Sequence, residues 1–309
     1  MPPAPPALSA RAWIDLILLG GIWGASFLSI KLALEEIPVL TLVAHRVVWA
    51  AVILWVYVLW RGERAPLTGR IWGAFLVMGL LNNVVPFTLM AWGQQFIETG
   101  LTSIFNAGTA VFGVLVAALL FRDEPLTARR TIGVLTAFAG VVLAIGPQNL
   151  AQFDIRSLAQ LAVIGGTLSY ALAAAWARVR LAHLAPHVAA GGMLTASALL
   201  MVPLAWIVDG APAVPARPVT LVAIAYFAVP GTAWAFLLYY RIIATAGSGN
   251  AMLVTLLIPP VAIALGAGVL HERLAPNAFL GFAILALGLL ILNGTIRAGR
   301  RRGGPPRDS

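Results

Sequence analysis

Cysteine is absent from the 309 residues. That excludes disulfides, thiolate nucleophiles and cysteine-ligated metals. Charge is scarce as well. Only 10% of the residues are Asp, Glu, Lys or Arg, and 61% are hydrophobic. A soluble domain carries roughly 25% charged residues, so too few polar side chains remain here to cover a soluble globule. The eleven acidic residues lie at the ends of apolar runs, between them or in the termini, with Asp15 nearest a run interior. Ion-coupled carriers commonly hold a carboxylate at membrane depth. This chain offers only His45 for protons and neutral oxygens for sodium, which leans towards a facilitator or exchanger. No Walker loop is present, so ATP is not the drive.

The same absences exclude intramembrane enzymes. Aspartyl chemistry needs two membrane-depth aspartates, and zinc chemistry wants His-Glu-x-x-His; the sequence has neither. Ser248, in AGSGN, is the one glycine-flanked serine candidate, and no histidine is assigned to it. The expectation is no catalytic residue, no metal and no cofactor.

What is present is a series of apolar blocks, each about the 20 residues needed to cross the hydrocarbon core. Ten spans are expected, at 13–34, 39–60, 70–92, 101–121, 129–147, 158–177, 187–208, 219–240, 250–270 and 277–296. Residues 1–12 read as a disordered cytoplasmic N-terminus and 297–309 as a basic cytoplasmic tail. Trp13, Trp60, Trp72, Trp206 and Tyr240 fall near block ends, where amphipathic rings prefer the interface. The net charge of +9 resembles that of a nucleic-acid binder, but the basic residues sit between the blocks and in the tail. With the N-terminus inside, fifteen fall in cytoplasmic segments and four outside, and Arg46 is left within a span. Such a bias places both termini in the cytoplasm. The expected partners are the lipid bilayer and a small-molecule solute, not nucleic acid; a homo-oligomer stays open.

The two halves register when the sequence is shifted by 148 residues. Glu124 falls on Glu272, Leu126 on Leu274, Gly133 on Gly281, Gly140 on Gly288 and Pro38 on Pro186. Five spans is an odd number, so the second half (158–296) must be inverted relative to the first (13–147). The expected fold class is all-α integral membrane, with ten transmembrane helices in two inverted five-helix repeats. Inverted repeats characterise alternating-access transporters, with the site near the midplane between the halves.

FRDEPLTARRTIGVLTAFAG and its partner LHERLAPNAFLGFAILALG, the opening GGIWGASFLSIKLAL and the second-span AHRVVWA together resemble the EamA family of the drug/metabolite transporter superfamily. The resemblance covers nearly the whole chain. It implies two EamA repeats and transport of small metabolites, amino acids or related amphipathic solutes, in the export direction and across a bacterial inner membrane. It also implies that the first and sixth spans lie beside the cavity. A channel-like facilitator or a membrane sensor on the same fold is the alternative.

Polar or helix-breaking residues at membrane depth cost free energy unless they face protein or water. Asn82, Pro86 and Met90 follow helical spacing in the third span, and Tyr226, Pro230 and Trp234 do so in the eighth. Asn82 is equivalent to Pro230, and Pro86 to Trp234, so both halves carry a matching interruption. Symmetric interruptions of this kind point to a transporter's cavity. Asn83 shares that expectation. His45 and Arg46 lie within the second span, Arg46 as a possible carboxylate anchor or as a structural cap. Ser103, Asn106 and Asn250 make the fourth and ninth spans polar, and Pro259-Pro260 is expected to break the ninth. Trp23, Ser26 and Tyr170 complete the expected cavity. For each residue, ordinary helix packing is the competing reading. Gly133, Gly140, Gly281 and Gly288 are expected in close helix packing away from solute.

Overall fold

The computed structural model describes residues 9–64, 68–122, 125–146, 155–211, 215–246, 251 and 253–293. Ten helices carry the fold among these residues. They are α1 (Ala10–Ala33), α2 (Val39–Trp60), α3 (Gly69–Gly93), α4 (Thr99–Leu120), α5 (Ala128–Ile145), α6 (Ile155–Arg180), α7 (Pro186–Asp209), α8 (Pro218–Ile242), α9 (Val254–Val269) and α10 (Pro276–Asn293). The first eight are long and apolar enough to cross a membrane, whereas the apolar helices of α9 and α10 are shorter. Large apolar side chains such as Leu59, Leu119, Ile207 and Val222 stand exposed. In water that would be a heavy cost; in lipid it is the expected surface.

Local signals set the helix ends. The Ser9 hydroxyl accepts a bond from the amide of Ala12, so α1 starts at Ala10 and residues 10–12 are helical rather than disordered. Residues 1–8, the expected tail 297–309, Glu124 and Asn250 lie outside the described residues. Pro186 and Pro218 open α7 and α8, where a missing amide proton costs nothing. Gly146, at φ +86°, ends α5 in a conformation that a side chain would strain. The expected break in the ninth span is not found. Pro259 and Pro260 lie inside a continuous α9; their fixed φ is itself helical, and the cost is lost amide bonds and crowding of the carbonyls one turn back.

The third and eighth helices are interrupted, though not simply at proline. Leu80–Val84 in α3 and Val229–Trp234 in α8 form wider π turns. The two segments overlap at the 148-residue offset, so the interruption repeats in both halves.

Packing between helices follows the same rule. α5 packs on α10 and α2 on α7; α1 packs on α9 and α8, and α6 on α4 and α3. Moving every helix by five places, with the numbering wrapped round, turns this set of contacts into itself. The α5–α10 seam shows it atom by atom. A Cβ on Gly133 would meet the Gly288 carbonyl at 3.0 Å, and one on Gly140 would meet the Gly281 carbonyl at 2.6 Å. The numbers rise on one helix as they fall on the other, so α5 and α10 run antiparallel. The four glycines sit in the close packing expected of them.

Candidate functional site

The interior polar centre is built around Arg46, two turns into α2. Its Nε donates to the Thr232 hydroxyl at 2.9 Å, and its guanidinium lies over the Phe87 ring, 3.7 Å from the centroid. Phe87 in turn packs edge-on against Tyr170, at 6.4 Å between centroids. Tyr170 is within electrostatic reach of Arg46. Four helices therefore meet at one cation: α2, α3, α6 and α8. Two belong to each half of the chain.

Backbone interruption explains why Thr232 is there. In the π turn of α8, the Thr232 hydroxyl donates to the Phe227 carbonyl at 2.7 Å. A π turn loosens the backbone ladder, and a small hydroxyl re-satisfies one freed carbonyl while its oxygen still accepts from Arg46. Phe87 directly follows Pro86, in the first turn of helix past the matching π turn in α3. Neither Phe87 nor Thr232 was among the residues singled out in the sequence. Phe87 follows Pro86 and Thr232 lies two residues past Pro230, which is the available signal.

The other expected cavity residues disperse. Asn82 reaches the Met193 sulfur on α7 at 3.8 Å and the Asn83 side chain at 3.1 Å. Pro86 and Met90 instead lie against Gly166 of α6. Thus Asn82, Pro86 and Met90 do not address one neighbour. The π turn that contains Asn82 widens the helix and rotates the residues beyond it, which a fixed 3.6-residue period does not anticipate. Asn83 is fully buried and donates to the Ser197 hydroxyl of α7 at 2.9 Å. Ser103 is fully buried, with its hydroxyl on the Gly100 carbonyl at 2.6 Å.

Ser26 bonds its own helix at Ile22 and packs against Gly231 in the π turn of α8. The Tyr226 hydroxyl donates to the Ile22 carbonyl at 3.2 Å. Trp23 pairs with Tyr239 at 5.5 Å. His45 and Asn106 are half-buried. Trp234 is 52% exposed and lines a cavity of about 320 Å³ with Tyr57, His187, Leu237, Tyr240 and Arg241. That cavity opens towards the ends of α2 and α8, beside the ion pair of Arg241 with Asp15 at the start of α1. A second cavity, of about 340 Å³, lies at the other end of the bundle, against Gly100, Glu272 and Leu274.

The acidic residues found at span ends act as fasteners there. Glu272 accepts from the amide and hydroxyl of Thr99 at the start of α4, at 2.8 and 2.9 Å. Asp209 does the same for Thr41 at the start of α2, at 2.7 and 2.8 Å. Helix N-termini favour negative charge and leave unpaired amides. Arg156 donates from one Nη to both carboxylate oxygens of Glu98, at 2.7 and 2.9 Å.

Two copies of one family model, the EamA-like transporter family, match residues 11–146 and 157–294. The chain belongs to the EamA family. It is therefore a multi-pass membrane transporter of the drug/metabolite transporter kind and not an enzyme. It is 20% identical over 282 residues to the uncharacterized transporter YoaV of Bacillus subtilis, covering 91% of this chain and 96% of that one. It is 25% identical over 301 residues to a probable terminal-alkyne amino-acid exporter of Streptantibioticus cattleyicolor, covering 97% and 98%. The uncharacterized inner membrane transporter YedA of Escherichia coli K12 is 22% identical over 272 residues, covering 88% and 87%. A solved crystal structure shares the fold with a TM-score of 0.66 at 17% identity, over 92% of this chain and 96% of that one.

Proposed function

We propose that this EamA protein is a secondary transporter that moves small amphipathic metabolites, amino acids or close relatives of them, out across the bacterial inner membrane by alternating access. Ten spans in two inverted five-helix halves would place both termini in the cytoplasm. The solute would pass mainly between α1, α3, α4, α6, α8 and α9, with α2 contributing Arg46.

The observation that carries this reading is the Arg46 centre. One cation, two aromatic rings and a hydroxyl converge from both halves, beside the π turn of α8 and just past that of α3. Polar groups and interrupted helix at membrane depth are tolerated where they are buried in protein or line a water-filled path. Reciprocal packing of the halves supplies the machinery, since rocking one half against the other opens the centre to either side in turn. The relative named as an amino-acid exporter fits a solute with both charged and apolar parts.

Counterflow in proteoliposomes tests it. Vesicles loaded with a library of unlabelled amino acids and amines should accumulate at least one labelled member against its gradient, saturably. Linear, non-saturating flux would indicate a channel instead. No flux with any member would remove amino acids and amines from consideration.

A further inference from the structure

We infer that Arg46 is the anchor for a monoanionic carboxylate, so that the solute this transporter carries bears one. The inference rests on the transporter reading and names the solute class at the same centre. A guanidinium offers five N–H donors. Arg46 spends the Nε donor on Thr232, and its two Nη groups have no hydrogen-bond partner among the described residues. Among the described residues no carboxylate pairs with it; α3 presents Phe87, α6 Tyr170 and α8 Thr232. The described acidic residue closest to a span interior, Asp15, is paired with Arg241.

An uncompensated cation in a low-dielectric interior is costly, and a structural one is normally matched by an acid. Phe87 offsets part of that cost through its ring face. The remainder is what an incoming anion would relieve. Arg46 is partly rather than fully buried, so some of its surface remains open.

Geometry favours a carboxylate over other anions. The Thr232 bond and the Phe87 stack hold the guanidinium plane at two points, leaving the Nη edge free. That edge matches the two oxygens of a carboxylate in a bidentate pair. The repeat-equivalent of Arg46 is Leu194, which is buried. The centre thus has a cation on one side of the pseudo-symmetry only, and a solute would bind with its acid end at α2.

The test uses the purified full-length protein and three probes of one shape: benzoate, benzyl alcohol and benzylammonium, at matched ionic strength. Thermal stability is followed against probe concentration, with inorganic phosphate as a further arm. Benzoate should raise the melting temperature saturably, and the other three should not. Arg46→Gln should weaken the benzoate response at least tenfold, and Arg46→Lys should weaken it less. Should the Gln variant fail to fold, the Lys variant alone decides, because it keeps the charge and loses the planar fork. Equal stabilisation by the uncharged or cationic probe, a stronger response to phosphate, no response to benzoate, or an undiminished response in the variants would each overturn the assignment. Counterflow separates this from the transport reading. Solute exchange that survives Arg46→Gln at wild-type rate would remove the anchor and leave the carrier. Benzoate binding without any flux would do the opposite.

Discussion

Gly140 on α5 and Gly281 on α10 face each other so closely that a methyl group on either would come within 2.6 Å of the other's carbonyl oxygen. Their repeat-equivalents, Gly288 and Gly133, form the matching contact one helical heptad away. Both sides of these contacts are backbone, which has no flexible end to move aside. Gly281→Leu and Gly140→Val should therefore destabilise the protein by about 1–3 kcal/mol or more, as overpacking does. Thermal melts in detergent read this directly. A variant with wild-type stability would show that the two helices separate at no cost.

Asp15 is buried while its partner Arg241 is about half exposed. Removing Arg241 alone leaves a carboxylate inside the protein without compensation. Arg241→Gln should then cost more stability than the double variant Asp15→Asn with Arg241→Gln, by at least about 1 kcal/mol. A double-mutant cycle in melting measurements checks the order. Additive losses would mean that the pair does not interact across the α1–α8 seam.

Trp234 and Asn83 differ in what they touch. Trp234 is half exposed on a cavity wall, so Trp234→Ala should lower stability far less than the about 3–5 kcal/mol of a buried tryptophan. If Trp234 meets solute, counterflow should fall several-fold while the melting temperature holds. Asn83→Leu is the contrast. It removes the buried bond to Ser197 and leaves that hydroxyl without a donor, so stability and flux should fall together. Equal behaviour of the two variants would erase the distinction.

The inverted arrangement is checked by reporter fusions at Gly62, Asp154, Ala213 and the C-terminus. They should read inside, outside, outside and inside. An inside reading at Asp154 would overturn the inversion of the second half.

Much of this protein is legible in its sequence. Block length and charge scarcity put it in a bilayer, because apolar runs of that length have no other stable home. The 148-residue register located Gly133, Gly140, Gly281 and Gly288 on one seam and identified the interrupted helices. The cavity residues are less legible. Asn82, Pro86 and Met90 fit one face of a regular helix, and the π turn at Leu80–Val84 scattered them between α6 and α7. Asn83 and Ser103 are polar and membrane-deep, as a cavity residue would be, yet each is fully buried and hydrogen-bonded to its neighbours. Polarity at depth signals only that a partner exists, and not whether that partner is protein or solute.

By itself, then, the sequence determined the environment and the repeat, and it marked Arg46 as the cation out of place. Those properties are carried by composition, spacing and self-similarity, which need no contacts to be read. Only the tertiary structure decided what surrounds Arg46. Phe87, Tyr170 and Thr232 lie 41, 124 and 186 positions away along the chain, on three different helices. Which faces of those helices turn inwards depends on where the backbone ladder slips by a residue. The sequence marks which helices are interrupted, but a regular helical period does not say which faces lie beyond the slip.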